Sequence, residues 1–231
     1  MRRFPVNLYE KFIQSELLAP LGIQRMRIGH TLINDRLSGE VLYHSGISEY
    51  DYAVGPSYSN AFNLRRNIMV EDKPSSVLNQ YGGSMNYVNA APFGGWIASA
   101  VDLVRFASEL DNVNNSLILS FTSIKRLFDF HNFGSSNTNE HYGCGWWVKD
   151  PPDNYEGESH GGTVTGAKAM LARWRDKDAN NITHYYTAAL LFNKNDEGYT
   201  DGWKTLELIR DTANSVLSWP TDDFWDDYGL K

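Results

Sequence analysis

The sequence predicts an α+β fold, an antiparallel sheet flanked by helices, and three observations lead to it. Apolar residues recur at helical spacing in several stretches before position 130 and again after position 202. Between Tyr142 and Phe192 the chain runs instead through β-branched and aromatic segments separated by turn-like clusters. Consecutive strands bracketed by helices bury their apolar faces by packing those helices on the sheet.

Taken in order, residues 8–18 predict an amphipathic helix with Leu8, Phe12, Ser15 and Leu18 on one face, ended by Pro20 and Gly22. Residues 22–80 are rich in Gly, Ser, Asn, Asp and Tyr, and residues 40–43 are their best strand candidate. Irregular stretches of that length serve as binding loops or as covers over a site. Ser99 then caps a helix over residues 100–109, with Asp102 as its box partner. A further helix over 122–130 carries Ile124, Leu127 and Phe128 and leaves through the turn-rich segment 132–139. Residues 142–148, 162–165, 167–174 and 184–192 predict a meander of four antiparallel strands, with turns at 151–154 and 176–181. Residues 203–217 close the fold as a helix whose Leu206, Ile209, Ala213 and Val216 share a face, ahead of an acidic aromatic tail. With neither repeat nor interior linker, 1–231 reads as one domain: a helical and loop part to about 140, sheet and last helix to about 220, and a tail over 221–231.

A net charge of −7 without any cluster of Lys and Arg argues against nucleic acid, whose affinity comes from basic side chains that release counterions. No run approaches the ~20 apolar residues that span a bilayer, and no apolar segment of signal-peptide length follows Arg2 and Arg3. A soluble chain is expected, with no compartment or oligomeric state assigned. Cys144 stands alone, so an intrachain disulfide is impossible, and its expected role is small buried filler.

Of the six histidines, none forms an HExxH or HxH ligand pair, so no metal is expected. Glu156 and Glu158 read as solvated loop carboxylates, and Trp96, Trp146 and Trp147 as packing residues. The segment from His160 through Gly161, Gly162, Thr163, Val164 and Thr165 to Gly166 stands apart. It sets a titratable ring, glycines and hydroxyls at the start of a strand, where small side chains let a ligand lie close to the backbone. A free edge there would offer N–H groups to a substrate carbonyl, as an oxyanion hole does.

Five segments together resemble the C-terminal portion of the serine β-lactamase, penicillin-binding-protein and DD-peptidase family, with its related esterases. Residues 9–23 are similar to its helix and Pro-Leu-Gly turn, and 39–43 to the strand that follows. Residues 94–106 resemble its Gly-Gly-x-x-Ser-x-x-Asp-Leu stretch, 142–146 its Tyr-Gly-x-Gly-Trp, and 160–166 its His-Thr-Gly-Thr-Val-x-Gly strand, with Gly161 in place of the usual hydroxyl residue. The resemblance implies a site in which a serine attacks an amide, β-lactam or ester carbonyl. In it His160 lines the cleft, the N–H of Thr163 is one oxyanion donor, and Gly161, Gly162 and Thr165 border the substrate. It implies no cofactor, and a small molecule or peptide as the groove's occupant.

The family's nucleophile motif, Ser-x-x-Lys, is absent: the nearest approach, Ser123, is followed three residues later by Arg126, which stays protonated and cannot act as a base. The resemblance places Ser-x-x-Lys and Tyr-x-Asn ahead of residues 9–13, so the fold is expected to be incomplete at its N-terminus. Tyr58-Ser59-Asn60 and Tyr87-Val88-Asn89 match the second motif's spacing but lie after that segment. Three readings follow: part of a longer serine hydrolase, inactive by itself; a non-catalytic relative that binds through the groove beside His160; or an enzyme that uses Tyr58 or Tyr87 with His160.

Overall fold

The computed structural model describes residues 6–45, 64–66, 76–78, 80–81, 86–129, 140–149, 156–177, 181–195, 202–216 and 218–219. Helix α1 (Val6–Ile13) continues through a π-turn at Gln14–Leu18 and a 3₁₀ turn at Ala19–Leu21, where Gly22 caps it at φ 68. The π-turn rotates the face expected from regular spacing. Leu18 is buried, but Leu8 and Phe12 are exposed, so the first helix does not bury the predicted stripe. Two short strands, β1 (Arg27–Ile28) and β2 (His44–Ser45), follow. The strand candidate at 40–43 is irregular because Glu40 turns inward, accepting hydrogen bonds from the Leu37 N–H and the Tyr43 hydroxyl. Strands β3 (Leu64–Arg66) and β4 (Ser76–Leu78) form a hairpin, and β5 (Trp96–Ile97) pairs with β1.

Helix α2 (Ala100–Ser108) starts where expected: the Ser99 hydroxyl accepts from the Asp102 N–H and lies 2.7 Å from its carboxylate. Helix α3 (Phe121–Phe128) is capped by Ser120 in the same way. Strands β6 (Glu140–Tyr142), β7 (Trp147–Lys149), β8 (Glu156–Val164), β9 (Ala167–Lys177) and β10 (Thr183–Phe192) make a five-stranded antiparallel sheet in sequence order. Residues 142–148, read as one strand, are two strands joined by a tight turn at Gly143 and Gly145, the latter at φ 85. A last short strand, β11 (Lys194–Asn195), runs parallel to β2, and α4 (Gly202–Asn214) follows. The turn segments expected at 132–139 and 151–154, and the acidic tail over 221–231, lie outside the described residues.

Strand alternation sorts the sheet's side chains onto two faces. Val148 and Leu171 meet Ala107, Leu110 and Ile124 of the α2–α3 layer, which together with Trp146 make the main core. On the other face α4 lays Leu206 and Ala213 down, and Trp174 donates its indole N–H to Asn214. Helices on both faces of an antiparallel sheet make an α+β fold.

Candidate active-site wall

The sheet's third strand, β8, changes character at its midpoint. Residues 157–159 pair with β7 on one side and β9 on the other. From His160 to Val164 only β9 pairs with it among the described residues, because β7 ends opposite Ser159. The hairpin between β8 and β9 closes through Thr165 and Gly166, and Gly166 takes φ 83, the left-handed conformation that glycine reaches without strain. In such a two-residue hairpin the flanking pair, Val164 and Ala167, exchanges both backbone bonds, and every second pair does so thereafter. Gly162 and His160 therefore bond inward to β9. Gly161 and Thr163 turn their N–H and C=O toward the open side.

Around that open half the side chains are small or ring-shaped. The exposed His160 ring lies with Nε2 3.2 Å from the Tyr142 hydroxyl. Tyr142 in turn packs edge-on against Trp147 at 5.1 Å, and Trp147 is half exposed. A Cβ on Gly161 would sit 3.3 Å from the Trp203 ring of α4, whereas one on Gly162 would meet nothing within 4 Å. The missing hydroxyl side chain at 161 thus has a local cause: the indole of Trp203 lies over the space it would occupy. Sequence reasoning missed Trp203 as a neighbour of this strand, read Tyr142 as the start of a family-like stretch and Trp147 as packing, and placed neither beside His160. Only the pairing register and the start of α4 bring them together.

The hairpin's turn is seated on a second cluster. A Cβ on Gly166 would come within 3.0 Å of Tyr43 and 3.1 Å of Gln80. Tyr43 stacks on Tyr81 and meets Tyr87 edge-on, its hydroxyl donates to Glu40 at 2.6 Å, and its N–H donates to the Tyr81 hydroxyl at 2.8 Å. Burial, reinforced by the nearby tyrosines and Glu40, pushes the Tyr87 hydroxyl up to about 12 and raises Tyr43 further still. Tyr87 donates to the Gln80 carbonyl, and the His160 ring lies against the Tyr142 hydroxyl. The Tyr87 hydroxyl is thus buried under the hairpin and engaged with a backbone carbonyl. Tyr58 lies outside the described residues.

Two solved structures align with this architecture over most of its length. A penicillin-binding protein from Bacillus halodurans superposes at TM-score 0.53 and 13% identity, covering 87% of this chain and 49% of its own. A D-stereospecific amidohydrolase from Streptomyces sp. does so at TM-score 0.53 and 15% identity, covering 86% of this chain and 47% of its own. The chain has the penicillin-binding-protein fold. At these identities the likeness is one of fold, and the chain spans about half the length of the structures it matches. No family model matches the sequence, and no curated protein does.

Within this penicillin-binding-protein-like sheet, the doubly paired half of β8 carries a structural charge cluster. Glu158 was expected to be a solvated loop carboxylate. It is instead 4% exposed in β8, accepting from Arg173 at 3.2 Å and from Arg175 at 3.0 Å. The Glu156 backbone also belongs to β8 rather than to a loop. Arg173 bridges onward to Asp111 and lies 5.2 Å over the Phe128 ring. Burial holds the Asp111 carboxyl above its ordinary value, against the pull of Arg173 and Arg175. Cys144, expected to be buried, is exposed because it occupies the β6–β7 turn. Among the described residues, no group of His, Cys, Asp and Glu is arranged to hold a metal, and no helix is long and apolar enough to cross a membrane.

Proposed function

We propose that the chain supplies the carbonyl-binding wall of a serine hydrolase acting on amide, β-lactam or ester carbonyls, and that it is catalytically silent as a 231-residue chain. The observation that carries the reading is that, among the described residues, 160–164 pair on one side only within a penicillin-binding-protein fold. A carbonyl oxygen arriving at that edge meets the Thr163 N–H, with Gly162 leaving room for the acyl group and His160 beside it. Backbone donors fixed in a sheet need no reorganisation as negative charge develops on the oxygen. The sequence contains no Ser-x-x-Lys, the motif that supplies the attacking hydroxyl and its base in the family it resembles. Without a covalent nucleophile most of the rate enhancement disappears, because such residues act as a unit.

Nitrocefin and a fluorogenic ester test this directly. Flat traces are expected, indistinguishable from those of His160→Ala, together with no covalent labelling by a fluorescent penicillin. Turnover abolished by His160→Ala would overturn the proposal and establish an enzyme with a different nucleophile. A second reading, a non-catalytic binding module, draws on the exposed rings of Tyr142, Trp147 and Trp203 beside the open strand. Saturable quenching of tryptophan fluorescence by a cell-wall peptide, lost in Gly162→Val, would favour it.

A further inference from the structure

Tyr142 and His160 belong to different strands, β6 and β8, and meet at the open half of β8, where the phenol hydroxyl lies 3.2 Å from the imidazole Nε2. We propose that Tyr142 is the positioning residue of this wall: its hydroxyl donates to Nε2 of His160 and so fixes the ring in the tautomer that carries its proton on Nδ1. On the carbonyl-wall reading above, on which this assignment rests, the proton that His160 offers a substrate is the one on Nδ1. Nε2 is withdrawn from service as a base.

A phenol can hold another ring only if its own place is fixed. Adjacent residues of a strand point to opposite faces, so His141 and Tyr142 leave β6 in opposite directions. His141 is 7% exposed, with its Nε2 2.7 Å from the Phe128 carbonyl at the end of α3. Beyond Tyr142, the Cys144 N–H donates to the Leu127 carbonyl at 2.8 Å, and Gly143 passes so near that carbonyl that a Cβ there would collide with it. Helix C-termini leave carbonyls without intrahelical partners, and strand β6 with its turn supplies two of the missing donors. Tyr142 is thus anchored through the residues on both sides of it. Trp147 steadies its ring edge-on, with centroids 5.1 Å apart. The phenol and imidazole rings are 6.2 Å apart and inclined at 57°, so the hydroxyl makes the contact and the rings do not stack.

The direction of the hydrogen bond follows from the two groups. A phenol donates well and accepts poorly, because its oxygen lone pair is shared with the ring, whereas the unprotonated nitrogen of a neutral imidazole is a good acceptor. The bond made by one ring nitrogen decides which of the two keeps the proton. His141 is the opposite case in the same strand. A carbonyl only accepts, so there Nε2 carries the proton.

Nitrogen NMR of the 231-residue chain, isotopically labelled at histidine and recorded at a pH high enough that the rings no longer titrate, tests this without ligand or turnover. The His160 signals are assigned by their loss in His160→Gln. The expected spectrum shows the Nδ1–H tautomer at His160 and the Nε2–H tautomer at His141. Tyr142→Phe keeps a ring against Trp147 but removes the donor, so His160 should shift to the Nε2–H form that a solvated imidazole prefers, while His141 stays as it was. A merely structural loss at position 142 would disturb His141, its neighbour, as well. The native spectrum decides even if Tyr142→Phe fails to fold: Nδ1–H at His160 supports the proposal and Nε2–H overturns it. An Nδ1–H ring that a folded Tyr142→Phe leaves unchanged overturns it too. Nitrocefin turnover abolished by His160→Ala would sink the carbonyl-wall reading and leave the tautomer as measured, so the two failures are told apart.

Discussion

The two halves of β8 share one strand but answer to different demands. Before His160 the strand is paired on both sides and carries Glu158, buried between Arg173 and Arg175. After it, among the described residues, the strand is paired on one side, His160 and Thr163 are exposed, and its backbone turns Gly161 and Thr163 outward. The first half holds the strand in place, and in the function we propose the second half uses that position. A site that binds a carbonyl through backbone groups needs such an anchor, because an edge held only by a two-residue turn would fray. At its far end the open half is steadied by Gly166 against Tyr43 and Gln80, so it is held at both ends.

Breaking the anchor should have the largest effect. Glu158→Ala leaves Arg173 buried with one partner fewer and removes one acceptor of Arg175, a loss expected to cost about 3–5 kcal/mol in urea unfolding. Glu158→Gln should cost less, since it keeps one hydrogen-bond acceptor. Loss below about 1 kcal/mol in the alanine variant would show that the cluster does not hold the strand.

Alkaline pH attacks the other end. The Tyr87 hydroxyl, raised to about 12 in the fold, titrates near 10 once unfolded. Its contribution is therefore complete below pH ~10 and is lost as pH rises toward ~12, a difference of about 3 kcal/mol, with Tyr43 shifting in the same direction. Chemical denaturation at a series of pH values should show stability falling above pH ~10 in the native chain, and a shallower fall in Tyr87→Phe. Equal slopes would place no buried phenol under the hairpin.

Much of this was legible in the sequence, and the exceptions have physical reasons. The Ser99 cap, the Ile124 face of α3 and the strand ending at Phe192 rest on local rules, so spacing alone found them. The His160–Gly166 string stood out because glycines beside a titratable ring are conspicuous. Glu158 and Cys144 went wrong in opposite directions: a carboxylate is buried where two arginines from the next strand neutralise it, and a thiol is exposed where a turn lifts it off the sheet. Neither the cross-strand partner nor the two-strand break at Gly145 can be read from neighbouring letters. Trp203 over Gly161 required knowledge of how α4 crosses the sheet, which no periodicity encodes.

That contact gives the smallest and most discriminating test of the comparison. Gly161→Thr would restore the hydroxyl expected at this place in the motif, but its Cβ would arrive 3.3 Å from the Trp203 ring and press on it. Overpacking of this kind is expected to cost about 1–3 kcal/mol in thermal or urea unfolding. The double variant Gly161→Thr with Trp203→Ala should recover most of that loss, because the space then belongs to the threonine. Non-additivity of at least about 0.5 kcal/mol between the two changes would establish that they compete for one volume. Strict additivity would separate the helix from the strand and leave the glycine to be explained by the needs of the open edge alone.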